Sequence, residues 1–251
     1  MPRSGNPAFN QNVIKSLPVT NKTKSVSVAR TYIKTFILLA IVMASAAVSW
    51  QWMKADIATS SIRWVPLWTT SLATFFMAMV ISFRPPSARV LAPIYAVLQG
   101  ALLGIISGTF AYVYDGIVGQ AIFLTLAVFL GVYLGYALGI LRATGTFVRV
   151  ILTAMLGYLM FSLLAWIFSL FGLVTPVINA YGNYGVIFSF LIVLVAALSL
   201  VLDFDFIDAA AKQNYPKYFE WYGAFGLMVG LIWLYMEILR LLARLAARSQ
   251  S

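Results

Sequence analysis

Seven acidic residues serve a chain of 251, and three of them fall close together at Asp203, Asp205 and Asp208. They follow directly on an apolar run, Tyr184 to Leu202, that carries no charge and is long enough to cross a bilayer. A carboxylate held at the edge of hydrocarbon loses hydration, and its charged form then needs a cation or a hydrogen-bond donor nearby. Ionisable groups in such places mark ion or proton pathways. The chemistry expected of Leu202-Asp203-Phe204-Asp205-Phe206 is therefore a proton-sensitive gate or a cation contact, at the cytoplasmic end of the run.

A second apolar run, Tyr222–Leu242, follows closely. If the two runs form an antiparallel helical hairpin turning at Ala211 and Lys212, equal depth pairs Asp203 with Glu220, Asp205 with Tyr218 and Asp208 with Tyr215. Two carboxylates at one depth would share a proton or hold a cation. Asp203 and Asp205 lie about 200° apart on a helix, so only one faces a given cavity, whereas Asp205 and Asp208 share a face more nearly. The alternative is structural: Asp203 and Asp205 pair with Arg84, Arg89 or Lys212 at the rim, and such a bridge can itself be the latch. Glu237 has Arg240 and Arg244 one and two turns later, which predicts a helix-surface ion pair. Asp56 and Asp115 are expected to be solvated in outer loops. Gln99, polar among apolar neighbours, lines an interior path or bonds between helices.

Composition fixes the setting. The chain is 62% hydrophobic and 10% charged, against about half and a quarter in soluble domains. It has no cysteine and no histidine, which removes thiol nucleophiles, disulfides, the Ser–His dyad, the usual imidazole switch and nearly every zinc site. No enzyme chemistry and no cofactor is expected, and any proton-sensitive step must use carboxylates. The net charge of +10 is read as lysines and arginines at span ends, where they set topology and meet anionic lipid head groups, and not as nucleic-acid binding.

The pattern predicts an all-α polytopic membrane protein: a basic cytoplasmic tail over 1–34, a membrane domain over 35–243 and a basic C-terminal tail over 244–251. Seven apolar runs carry the spans: Thr35–Met53, Trp64–Phe83, Leu91–Tyr114, Ile117–Leu141, Phe147–Gly172, Tyr184–Leu202 and Tyr222–Leu242. Placing the N-terminus in the cytoplasm also puts Arg84, Arg89, Arg142, Arg149, Lys212 and Lys217 inside, as the positive-inside rule requires. A seventh crossing then leaves Arg240, Arg244 and Arg248 outside. Either the last run re-enters without crossing or packing overrides charge, and its length favours crossing. Glycines recur every four residues at Gly100, Gly104 and Gly108, at Gly131, Gly135 and Gly139, and at Gly226 and Gly230. That spacing predicts close helix–helix packing.

Several stretches together resemble the transmembrane Bax inhibitor motif family, in a bacterial branch, from about Lys34 to Ala243. They are Leu91-Ala92-Pro93-Ile94-Tyr95-Ala96-Val97-Leu98-Gln99-Gly100, Leu103-Gly104-Ile105-Ile106-Ser107, Gly116-Ile117-Val118-Gly119-Gln120-Ala121, Leu202-Asp203-Phe204-Asp205-Phe206-Ile207, Glu220-Trp221-Tyr222 and Leu234-Tyr235-Met236-Glu237-Ile238-Leu239-Arg240-Leu241-Leu242. The resemblance implies a seven-helix bundle with the last helix near the centre. It also implies a pH-sensitive calcium leak, closed by two aspartates and an arginine at the cytoplasmic end of the second helix. By position the first aspartate matches Asp203, the arginine matches Arg84, and the second aspartate falls on Gly230. Here Asp205 or Glu220 must replace the missing carboxylate, or the gate differs. Relatives in this branch carry Glu where Gln99 stands.

The function expected is a pH-sensitive cation (calcium) leak channel in the bacterial inner membrane, gated by Asp203, Asp205, Glu220 and Arg84, with Asp203 and Asp205 as possible cation contacts. Its partners are membrane lipid and calcium or protons. The alternative is a non-conducting membrane factor that binds and regulates other membrane proteins.

Overall fold

The structure, a computed structural model, describes residues 25–58, 64–171 and 183–249, with side chains for all of these except 54–58, 64–67, 170, 183 and 184. Seven helices follow one another: α1 (Val28–Ala58), α2 (Trp64–Phe83), α3 (Ala88–Val113), α4 (Ile117–Ala137), α5 (Gly145–Leu170), α6 (Asn183–Lys212) and α7 (Phe219–Ser249). A short 3-10 turn, Pro85–Ser87, links α2 to α3. Six of the helices are long and apolar enough to cross a membrane, and α2 contributes a shorter apolar stretch, Trp68–Phe83.

The bundle is apolar on the outside as well as within. Phe36, Trp68, Phe75, Phe123, Leu163 and Phe190 are all exposed, on five different helices. An exposed apolar surface of this extent suits lipid and not water. The last helix lies at the centre, as expected: α7 packs against α6, α1, α4 and α3, and Tyr222, Phe225, Leu227, Met228 and Leu234 along it are fully enclosed. The other two helices are peripheral, α2 resting on α3 and α5 on α6.

α7 runs antiparallel to α6 along the whole of it. At one end the Phe206 and Phe219 rings meet at a tilt, their centres 5.3 Å apart; at the other Arg244 donates to the Gly185 carbonyl, 2.6 Å away in the first turn of α6. Thirty-one residues at about 1.5 Å each exceed the thickness of a bilayer's hydrocarbon. The last run is therefore long enough to cross, and Arg240 and Arg244 are engaged by the fold.

Two helix boundaries differ from the hydropathy runs. α1 begins at Val28, inside the segment expected to be tail, and α7 continues to Ser249 through the expected C-terminal tail. Hydropathy marks the greasy middle of a span, while a helix goes on as long as its backbone is satisfied. The chain just before α1 is also anchored: Val26 N–H donates to the Tyr215 carbonyl at 2.8 Å, and Ser25 bridges to Pro216. Residues 1–24 lie outside the described residues.

The glycine repeats part company. Gly100, Gly104 and Gly108 all face α1: a Cβ at 100 would run into the Val42 carbonyl, one at 104 into Ser49 and the Ala46 carbonyl, and one at 108 would meet Met53 at 3.1 Å. This is the close packing the spacing predicts. On α4 the prediction fails. A Cβ at Gly131 would meet nothing within 4 Å, Gly135 touches only the nearby Leu141, and Gly139, with φ +74°, lies just beyond the end of the helix.

Candidate functional site

The four acidic residues of the α6–α7 hairpin occupy three separate settings. α6 continues ten residues past Leu202, so Asp203, Asp205 and Asp208 are helical, and the 100° step between residues decides where each side chain goes. Asp203 is 1% exposed. Its carboxylate points at the central helix: a Cβ built on Gly230 would sit 2.9 Å from Asp203 Oδ2 and 3.1 Å from Leu200 Cδ2. The space that a side chain at 230 would fill is thus bordered by the Asp203 carboxylate.

Phe204, one step round, is fully buried on another side of α6. The rings of Tyr32, Phe129, Tyr133 and Tyr136 surround it with centroids 5.6 to 6.2 Å away, wedging α6 against α1 and α4. Asp205 is half-buried, on the far side from Asp203 as the 200° separation requires. Asp208 and Lys212 lie within its electrostatic reach. Asp208 accepts a hydrogen bond from the Tyr136 hydroxyl at 2.9 Å. The expectation that Asp205 and Asp208 share a face is met, and both act on Tyr136.

Glu220 is not Asp203's partner. Its carboxylate, fully buried, accepts from Arg30 Nε at 2.7 Å and Lys34 Nζ at 2.5 Å, both on α1, and from the Ser27 N–H at 3.3 Å. Arg30 and Lys34 are one turn apart and therefore on one face of α1. They reach Glu220 because the helices cross closely at Gly223, where a Cβ would meet Thr31 Cγ2 at 3.1 Å. Asp203 borders Gly230, ten residues further along α7, a rise of roughly 15 Å. The equal-depth pairing fails because the turn is longer than a tight one at Ala211 and Lys212. It takes in the residues between Lys212 and Phe219, with Asn214 in the left-handed region at φ 54°, which asparagine tolerates.

Arg84 stands outside this arrangement. It is exposed, caps the 3-10 turn through its backbone, and has no carboxylate within 4 Å among the described residues. Gln99 is half-buried on α3, next to the Gly100 contact with α1. Among the described residues no three metal-ligating side chains gather at one point, and Asp203 and Asp205 do not converge.

Glu237 differs from its expected surface setting. It is 3% exposed and accepts from Arg240 Nη1 at 2.7 Å, the Tyr158 hydroxyl at 2.7 Å and Trp233 Nε1 at 3.1 Å. The Arg240 pairing was foreseen; the enclosure by Tyr158 of α5 was not. A further polar contact inside the bundle joins Ser107 of α3 to Tyr235 of α7, oxygen to oxygen at 2.6 Å.

Residues 6–247 match the protein family described as Bax inhibitor 1 like. The chain belongs to that family. No curated protein and no solved structure matches it. Family membership accords with the resemblance carried by the LDFDF and C-terminal stretches. Sequence reasoning missed Arg30 and Lys34, counted only as tail charges, and Tyr136 and Tyr158. A signal for the first pair was present: two cations spaced by four residues just before an apolar run predict one basic face on a helix.

Proposed function

We propose that this protein is a pH-sensitive cation leak of the Bax inhibitor type, gated at the α6–α7 seam. Calcium and the bacterial inner membrane are what the resemblance implies, and the basic end toward the cytoplasm is the orientation that the charge distribution favours. The observation that carries the reading is Asp203: a carboxylate 1% exposed, between the central helix and α6, bordering the space that Gly230 leaves open. In so enclosed a place the charged and neutral forms cannot be equally well accommodated by the same packing. Taking up or losing a proton or a cation at Asp203 therefore biases how α6 sits on α7. Asp205 and Asp208 with Tyr136 lie nearer the basic end and give the approaching cation its first negative groups. Glu220, held by Arg30 and Lys34, ties α1 to the moving hairpin. Arg84 serves as an exposed cation at the same end, available to a carboxylate in a second conformation.

The test is flux. Purified protein in liposomes loaded with a calcium indicator should admit calcium at a rate that changes with pH. Asp203→Asn, which fixes the neutral shape, should remove most of that pH dependence while calcium still passes. Flux equal to that of empty liposomes at every pH would sink the leak and leave the alternative, a non-conducting factor acting on other membrane proteins.

A further inference from the structure

At the basic end a groove of about 530 Å³ opens between α1, the start of α3 and the start of α7. Four cations line it, Arg30, Lys34, Arg89 and Lys217, against one carboxylate, Glu220. That carboxylate is already taken up by Arg30 Nε and Lys34 Nζ. Three positive charges therefore remain in excess. Arg89 and Lys217 are exposed, with no carboxylate within 4 Å among the described residues. Lys34 Nζ is also 5.0 Å from the centre of the Trp221 ring, which fixes the ammonium at the groove wall.

The groove does not open on water alone. Ile33 and Ile37, one turn apart on α1, line it and are 59% and 46% exposed. They continue into the apolar surface that α1 presents from Thr35 onward. Tyr218 and Trp221, also in its wall, are residue types that settle at the level of lipid headgroups. We propose that this groove is a specific site for one anionic phospholipid: the phosphate held by Arg89, Lys217 and the Nη1 group of Arg30, whose Nε and Nη2 are taken up by Glu220 and the Ser25 carbonyl, the acyl chains lying along Ile33 and Ile37. A soluble phosphate ester would satisfy the same cations but would leave that apolar edge uncovered, so the lipid is the better occupant. The site is independent of whether the protein conducts ions.

The full chain in neutral detergent, titrated with phosphatidylglycerol or phosphatidylcholine and followed by native mass spectrometry, tests this. One phosphatidylglycerol should stay bound under conditions that strip phosphatidylcholine. Removing two charges with the pair Arg89→Gln and Lys217→Gln should weaken that adduct roughly thirty-fold, and the charge-preserving pair Arg89→Lys and Lys217→Arg should retain it. Equal retention of both lipids, or undiminished phosphatidylglycerol binding by the double glutamine variant, overturns the site. Displacement by glycerol phosphate at matching concentration overturns the lipid and assigns the groove to a soluble ligand. A measurement needing no charge variant stands beside it. Phosphatidylglycerol carrying a headgroup spin label should quench the wild-type protein more than Trp221→Phe, and equal quenching counts against the site.

Discussion

The central helix carries one buried glutamate in its first turn and another past its middle, and the two are satisfied in opposite ways. Glu220 draws its cations from α1, 186 and 190 residues away in sequence. Glu237 takes its cation from its own helix three residues later and adds neutral donors, the Tyr158 hydroxyl and Trp233 Nε1. Of the cations, only Lys34 is largely enclosed, its side chain 18% exposed, against 50% for Arg30 and 44% for Arg240. The first arrangement is a tertiary tie that forms only once α1 and α7 have met. The second is largely local, and it has no enclosed cation comparable to Lys34.

Substitutions should separate the two. Glu220→Leu leaves Lys34 enclosed without its counter-charge and should cost about 3 to 5 kcal/mol. It should appear as a clear fall in the thermal unfolding midpoint in detergent and as new proteolytic cutting near Arg30. Glu237→Leu deprives a tyrosine hydroxyl and an indole N–H of their acceptor and should cost about 1 to 3 kcal/mol, with no new cutting at the N-terminal end. Arg240→Gln, removing a half-exposed cation, should change stability by about 1 kcal/mol or less. The comparison breaks if Glu237→Leu proves as damaging as Glu220→Leu, or if Glu220→Leu leaves the region around Arg30 as protected as before.

Much of the fold was legible because bilayer physics writes it in blocks of apolar residues. The run Trp64–Phe83 coincides with α2, and Ile117 opens α4 in both accounts. Misreadings arose where composition stops being informative. Past Leu202 the sequence turns polar, yet α6 goes on through Asp203, Asp205 and Asp208, and the last of these is met by the Tyr136 hydroxyl of α4. The glycine repeats of α3 and α4 have the same spacing, but only the first is covered by a helix; which face meets a neighbour is a property of the assembled bundle. The separation of Asp203 from Asp205 followed from two helical steps of about 100°; which of the two is buried did not. Glu220's partners did not, since nothing local joins it to a helix nearly two hundred residues earlier.

The missing side chains at Gly100 and Gly104 have a mechanical result. With the carbonyls of Val42 and Ala46 seated where Cβ atoms would otherwise stand, α1 and α3 have no clearance to slide past each other and travel as a single strut. Any loosening of the bundle must then come at the seam where α6 leans on the central α7 across an aspartate and a glycine.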